Sequence, residues 1–110
     1  MTSTNKTFDS SVTATVENLA TRGVHLYTLV VRNPSAATAY LQLFDAAAAN
    51  VTLGTTTPDQ SYWVPPSGEF DLAYTKDGME FQTALSYAFT TTATGNTAPA
   101  SNAEVNFGWL

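Results

Sequence analysis

Carboxylates stand at two places where their spacing could support chemistry. Glu69 and Asp71 lie two residues apart in an alternating stretch, so on a strand they share one face about 7 Å apart. A glycosidase acid and base need such a distance, but many solvated strands also satisfy it, and we interpret the pair as a polar outer face. Asp77-Gly78-Met79-Glu80 places carboxylates beside a turn without the alternating ligands of an EF-hand, and either Asp45 or Asp59 would have to fold nearby to complete a metal site. We therefore predict no metal and no cofactor.

Nucleophilic catalysis has few residues available to it. His25 is the single histidine, and it lies inside a strongly apolar stretch with no serine or cysteine at a nucleophile turn beside it. A catalytic triad requires the histidine within hydrogen-bond reach of an exposed nucleophile. Cysteine is absent, which excludes disulfides and thiolate sites and fits a reducing cytoplasm. We predict a structural histidine and a protein that is not an enzyme.

Three aromatic residues are the candidates for binding a partner. Tyr62 and Trp63 are adjacent, so on a strand they face opposite sides, and one of them should be exposed. Tyrosine and tryptophan are enriched at binding hot spots, although an exposed ring could equally stack on a sugar. A Trp63 buried in the core is the alternative interpretation. Phe8 is the only large apolar side chain among residues 1–10 and could anchor that segment on a partner.

Charge and hydropathy narrow the range of partners. The net charge of −5 leaves no basic patch that could neutralise a run of phosphates, so we predict no nucleic acid. Only 12% of the residues are charged, against about 25% in an average domain. Such a surface favours packing against other protein, although a threonine-rich all-β domain would show the same composition. The longest apolar run, centred on residues 29–31, is far short of the ~20 residues that span a bilayer, so we predict no membrane partner.

Strand signals separated by turns supply the scaffold for these residues. We predict an N-terminal arm at residues 1–10 and one β-sandwich domain at residues 11–110. Proline, glycine and asparagine turns bound seven or eight short strands. The expected strands cover residues 11–16, 24–32, 38–45, 51–53, 59–64, 69–74, 83–91 and 105–109. Residues 46–49 are expected to form a loop or a single turn, and residues 79–81 a short helical turn that buries Phe81.

The alternation within these strands predicts how they stack. The stretch at residues 24–32 is apolar on both faces, which predicts a central strand covered on both sides. Val105, Phe107 and Trp109 alternate up to the penultimate residue, so Trp109 is expected in the core. The fold class is therefore all-β, a two-sheet antiparallel sandwich with jelly-roll-like connectivity.

An ordered set of motifs covers about two thirds of the chain. It comprises the Asn33-Pro34-Ser35 turn, the Tyr-Leu-x-Leu-Phe-Asp strand at 40–45, the Gly-Thr-Thr-Thr-Pro link at 54–58, the Val-Pro-Pro strand end at 64–66, the Gly-Met-Glu-Phe turn at 78–81 and the Leu-Ser-Tyr-Ala-Phe-Thr-Thr strand at 85–91. In this order the motifs resemble small β-sandwich virion proteins of tailed bacteriophages.

This resemblance implies a structural role, either cementing the capsid lattice or forming part of the neck or tail. It implies a protein made in the host bacterial cytoplasm and located in the virion, where its partners are the major capsid protein or other virion proteins. A homo-oligomer, with a trimer favoured, would match the symmetry of such a lattice. A carbohydrate-binding module is the alternative from another functional class.

Overall fold

Nine strands and one short 3-10 helix make up the computed structural model, which describes residues 5–110. The strands are β1 (Asn5–Val12), β2 (Glu17–Ala20), β3 (Val24–Asn33), β4 (Ala39–Phe44), β5 (Gln60–Val64), β6 (Gly68–Ala73), β7 (Met79–Phe81), β8 (Leu85–Thr90) and β9 (Ala103–Trp109), with the 3-10 helix at Ala48–Asn50. The helix agrees with the single turn expected at residues 46–49.

The strands form two antiparallel sheets with the connectivity of a jelly roll. Sheet A has the order β1-β9-β3-β6, with β7 also paired to β3, and sheet B has the order β2-β8-β4-β5. The pairs β1–β9, β2–β8, β3–β6/β7 and β4–β5 are those of one long hairpin, whose two arms roll up so that β9 also pairs β3 and β8 also pairs β4. The predicted two-sheet antiparallel sandwich is confirmed. Strands β6 and β7 both pair with β3 and together occupy one edge position of sheet A, so the nine strands fill the eight positions of a jelly roll.

The core lies between the inner faces of the two sheets. Sheet A contributes Leu29, Val31, Val105 and Phe107, and sheet B contributes Leu41, Leu43, Leu85 and Phe89, all of them buried. Each of these side chains comes from an alternating stretch, because successive residues of a strand point to opposite faces.

Residues 5–10 belong to the sandwich and do not form the expected arm. They are the first part of β1, which pairs with β9 from Asn5 opposite Trp109 to Val12 opposite Ala103. The arm was inferred from missing apolar periodicity, but an edge strand held by backbone hydrogen bonds does not need that periodicity. Residues 1–4 of the predicted arm lie outside the described residues. The strand expected at residues 11–16 was also misplaced, because β1 ends at Val12 and β2 begins at Glu17.

Strand β3 is central, but at each point along it only one of its two faces is buried. Its register against β9 shifts between Leu26 and Thr28, so the buried side changes from Val24 and Leu26 to Leu29 and Val31. This bulge explains why both faces of the sequence look apolar: each face is buried for half of the strand. The expectation of a strand covered on both sides is therefore wrong.

Two short segments also differ from the prediction. Residues 51–53 form a loop where an edge strand was expected. Residues 79–81 form β7, paired with residues 24–26 of β3, where a helical turn was expected. Phe81 is nevertheless buried as predicted, and Gly78, in the turn before β7, has a positive φ of 67°.

A fully buried asparagine closes one end of the sandwich. The Asn33 side chain donates through Nδ2 to the carbonyl oxygens of Ala37, Val64 and Pro65 at 2.9, 3.3 and 3.2 Å. Its Oδ1 accepts from the backbone N–H and the hydroxyl of Ser35 at 3.0 and 2.7 Å. Asn33 thus ties the end of β3 to the end of β5 and to the start of β4.

The chain terminus is built into the sheet. His25 and Leu110 exchange two backbone hydrogen bonds of 2.9 Å, which extend sheet A to the last residue. Trp109 is half-buried against the core, where its Nε1 donates to Thr7 Oγ1 at 3.0 Å and the Arg22 guanidinium lies 5.5 Å from the ring centroid. The predicted strand is confirmed, but Trp109 lies at the margin of the core.

Candidate binding surfaces

The outer face of sheet B is covered by the protein's own loops. Its central side chains are all fully buried: Gln42, Phe44, Ser86, Ala88 and Thr90. The loop at residues 45–59 reaches it through Ala46, whose carbonyl accepts from Ser86 Oγ at 2.7 Å. The loop at residues 91–102 reaches it through Gly95, whose carbonyl accepts from Gln42 Nε2 at 3.1 Å. We call this surface the covered face.

The outer face of sheet A carries no such layer within residues 5–110. Its side chains are exposed or half-buried, and we call this surface the open face. The pairing registers place on it Lys6 and Phe8 of β1, Glu104, Asn106 and Gly108 of β9, Thr28, Val30 and Arg32 of β3, and Glu69, Asp71 and Ala73 of β6. The two outer faces of the sandwich thus differ sharply in their exposure to solvent.

A shallow groove of about 400 Å³ runs along the β1 side of the open face. The groove is lined by Lys6, Thr7, Phe8, Thr28, Val30, Asn106, Phe107 and Gly108. Phe8 forms part of its wall and is 60% exposed, the largest exposed fraction of any large hydrophobic side chain in the described chain. Lys6 is the single charged residue in this lining, so a partner could cover the groove without desolvating several ions.

The adjacent aromatics point to opposite sides, as the sequence predicts. Tyr62 turns inward and stacks on Phe70 of the facing sheet, with ring centroids 4.7 Å apart. Burial, together with the nearby Tyr74, raises the pKa of Tyr62 to about 12. Trp63 turns outward at the edge of sheet B and is 53% exposed, so the alternative of a buried Trp63 is wrong. Of the three predicted binding residues, Phe8 and Trp63 are available to a partner, on different faces.

The acid and base candidates do not form a catalytic cleft. Glu69 and Asp71 lie on the open face and are exposed, opposite Arg32 and Val30 of β3. Arg32 is engaged by Glu104 across the β3–β9 pair, with Nη1 3.4 Å from Oε1. His25 contacts the carbonyl oxygen of Asp77 through Nδ1, and its Nε2 lies 4.0 Å from Glu80 Oε2. These contacts attach the His25 ring to the turn before β7.

The carboxylates considered for a metal are brought together only in part. Asp45, Asp59 and Glu80 line a small cleft of about 220 Å³, whereas Asp77 is exposed on the turn. Asp45 accepts three backbone hydrogen bonds, from residues 82, 83 and 84 at 3.0, 2.8 and 3.3 Å. Partial burial raises the pKa of Asp45, but these N–H groups outweigh it and lower the pKa below its usual value. Across the described ranges no three acidic or histidine side chains are arranged to hold a metal ion.

A third cluster was not found by sequence reasoning. Tyr87 of β8 donates its hydroxyl to Asp9 Oδ2 at 2.8 Å, and Glu17 of β2 lies directly opposite Tyr87 in the sheet B register. Asp9 and Glu17 are eight residues apart, but Tyr87 is 78 residues from Asp9. Only the pairing of the edge strands reveals that the three side chains are neighbours.

Comparison of the chain with protein-family models, with curated protein sequences and with solved structures found no match. The helical content of residues 5–110 is limited to one three-residue 3-10 helix, and nothing in this range could cross a membrane as an apolar helix.

Proposed function

We propose that this protein is a structural component of a bacteriophage virion, most specifically a capsid decoration or cement protein. It is made in the host bacterial cytoplasm and binds the major capsid protein through the open face. The observation that carries this proposal is the asymmetry of the sandwich. The centre of the covered face is buried under the protein's own loops, whereas the open face presents a nearly uncharged groove beside an exposed phenylalanine.

The edges of the sandwich favour docking through a face. Edge strand β2 has four residues and a register shift, and β5 ends at the consecutive prolines 65 and 66. Edge strand β1 carries the inward-facing Asp9 and a register shift before Val12. Short edge strands, bulges, proline and inward charges all discourage strand addition. The fourth edge is divided between β6 and the three-residue β7, which both pair with β3. A partner is therefore better accommodated on the open face than along an edge.

The jelly-roll fold of this protein and the many equivalent sites on a capsid are both compatible with binding to a capsid lattice. Jelly rolls are frequent in viral capsid proteins, although a fold supports a function only by analogy. Covering the exposed part of one Phe8 ring contributes about 1–2 kcal/mol, which is weak for a single contact. A capsid presents many equivalent sites at high effective concentration, so weak contacts suffice when several copies are joined. A homo-oligomer, with a trimer favoured, matches such a lattice.

A carbohydrate-binding module is a second candidate, and Trp63 is the observation that favours it. Trp63 lies opposite the half-buried Tyr40 in the β4–β5 register, on the outer side of sheet B beyond the loops. Two neighbouring aromatic side chains with exposed surface provide a platform on which a sugar ring could stack. In this alternative the binding residue is Trp63 and the open face has no role.

Two matched variants separate these proposals. Phe8→Ser and Trp63→Ser each remove one exposed aromatic side chain from a different face, so both should melt within a few degrees of the parent. The tagged chain is expressed in the bacterial host during particle assembly, and the fraction that sediments with purified heads is measured. We expect Phe8→Ser to weaken each contact about 5- to 30-fold, the equivalent of 1–2 kcal/mol, and Trp63→Ser to bind like the parent.

The outcomes distinguish the alternatives. Binding that persists at high salt supports the uncharged groove, because salt screens contacts made by exposed charges. Light scattering on the purified protein tests the trimer. Presence in complete virions but not in heads would indicate the neck or tail instead. Absence from all particles, with glycan binding lost in Trp63→Ser alone, would replace the assembly role by the carbohydrate-binding one.

A further inference from the structure

Strand β1 is attached to the sandwich mainly by polar contacts. Val12 is its one fully buried residue, and Phe8 points away from the core. Its inward side chains Thr7 and Asp9 each accept a hydrogen bond from an aromatic donor, from Trp109 Nε1 at 3.0 Å and from the Tyr87 hydroxyl at 2.8 Å. An element with little apolar burial opens more readily than the core strands. The hydrogen bonds of β1 therefore determine how firmly it is held.

Asp9 and Glu17 lie on edge strands of different sheets, at the same side of the sandwich. Asp9 lies on β1, the edge strand of sheet A, and Glu17 lies on β2, the edge strand of sheet B. Tyr87 is 3% exposed, and its ring packs on Phe107 with centroids 4.8 Å apart, so its hydroxyl is held in place by the core. The hydroxyl donates to Asp9, Glu17 lies opposite Tyr87 in sheet B, and the carboxyl groups of Asp9 and Glu17 are hydrogen-bonding neighbours, which we call the carboxyl pair.

We infer that the carboxyl pair and the Tyr87 hydroxyl form a proton-dependent latch between β1 and β2, and that loss of the proton shared by Asp9 and Glu17 loosens β1. The latch concerns the stability of one strand, so it does not depend on the proposed function. With the proton present, one carboxyl group donates to the other. Without it, two carboxylates face each other beside a tyrosine hydroxyl that can donate only one hydrogen bond.

No described cation is placed to neutralise the carboxyl pair. Lys6, the basic residue of β1, lines the groove on the opposite face of the strand. On β9, Glu104 is engaged by Arg32 on the open face. Arg22, which follows β2, lies over the Trp109 ring, and β8 has no charged residue. The repulsion between the two carboxylates is therefore not offset by a nearby positive charge.

The pH dependence follows from the two carboxyl groups. The hydrogen bond with Asp9, followed by desolvation and the Asp9 charge, raises the pKa of Glu17 from its ordinary 4.5 to about 7. Partial burial raises the pKa of Asp9, but hydrogen bonds with Glu17, Ser11 and Tyr87 outweigh it and lower the pKa. The raised pKa of Glu17 means that its protonated form stabilises the folded state. This contribution is complete below pH 4.5 and is lost as the pH rises through about 7. The Asp9 contribution is lost at the opposite end, as the pH falls through its lowered pKa. The latch should be tightest under mildly acidic conditions and loosen above pH 7.

The test is amide hydrogen exchange of the full chain between pH 5 and pH 8, read as protection factors for β1 relative to β3. We expect β1 protection in the parent to fall about tenfold across this range, which is the equivalent of one pKa unit. The fall is smaller than the full pKa shift of Glu17 would give, because Glu17 is exposed and water screens the repulsion. Glu17→Gln should show no such fall, because its amide can still donate to Asp9 but cannot ionise. Glu69→Gln, which removes an exposed carboxylate from the edge strand β6, should behave like the parent.

Carbon NMR of the carboxyl groups provides a second measurement that needs no variant. A Glu17 titration midpoint near 7 is expected, and a midpoint near 4.5 would overturn the latch. Equal pH dependence of β1 protection in the parent and in Glu17→Gln would overturn it as well. Tyr87→Phe keeps the packed ring and removes the hydroxyl, so it should lower β1 protection at pH 5 while β3 protection remains unchanged.

Discussion

Replacing Asn33 by alanine is expected to remove a large part of the stability of this domain. The Asn33 amide can donate two hydrogen bonds, one to the carbonyl oxygen of Ala37 between β3 and β4 and one to that of Val64 at the end of β5. Its Oδ1 accepts two hydrogen bonds from Ser35. At about 1 kcal/mol for each of these four hydrogen bonds, Asn33→Ala should cost about 4 kcal/mol. A domain of this size is stable by roughly 5–15 kcal/mol, so the loss is large.

Circular dichroism during thermal unfolding measures this loss. A change of 4 kcal/mol should lower the melting temperature by roughly 15–30 °C. Asn106→Ala is the matched control, because Asn106 is exposed on β9 and its replacement should shift melting by only a few degrees. Asn33→Asp tests the cause, since it keeps the side-chain volume but turns an oxygen toward the carbonyl oxygens of Ala37, Val64 and Pro65. If both Asn33 variants melted within about 5 °C of the parent, the buried hydrogen bonds would not be holding the end of the sandwich together.

Three further predictions concern the margin of the fold. Trp109→Phe should cost about 1 kcal/mol in urea denaturation through its lost hydrogen bond to Thr7, and Trp109→Ala about 2 kcal/mol, since half-burial reduces the 3–5 kcal/mol of a fully buried aromatic. Parent-like stability of Trp109→Ala would show that the last strand is dispensable. Deleting residues 1–10 should lower the calorimetric melting temperature clearly, because it removes most of β1; unchanged melting would favour the arm that the sequence suggested. Gly78→Ala should cost about 1–3 kcal/mol, since a Cβ would lie 2.6 Å from a backbone oxygen of β3 at a φ of 67°. Gly54→Ala, also at positive φ but with its nearest contact at 3.4 Å, should cost less, and equal losses would contradict the steric part of the argument.

The sequence predicted the sandwich because its inner strands alternate. Strands β4, β5, β8 and β9 each place large apolar residues at every second position, so their limits were found to within one or two residues. The sequence missed features that depend on distant partners. The shift in β3 depends on pairing with β9, and the three residues of β7 are too few to show a period.

The candidate surfaces were predictable only in part. Adjacency shows that one of Tyr62 and Trp63 must be exposed, but not which, because that depends on the face that β5 turns toward sheet A. Phe8, noted in the sequence as an isolated apolar side chain, is exposed, but the strand that carries it was not predicted. The contrast between the covered and open faces results from loops folding over one sheet. Loop composition does not say which face a loop will cover.

The interruption between β6 and β7 has a practical consequence. Both strands pair with β3, β6 with residues 28–33 and β7 with residues 24–26. The register of each strand is therefore set by β3 and not by the five residues that join β6 to β7. Lys76 and Asp77, at the tip of this connection, are both exposed. A foreign peptide inserted between them would leave both registers unchanged, because loop closure becomes only slightly less favourable as a loop lengthens. The protein thus provides a natural position for displaying epitopes, and on a virion it would present them in many regularly spaced copies.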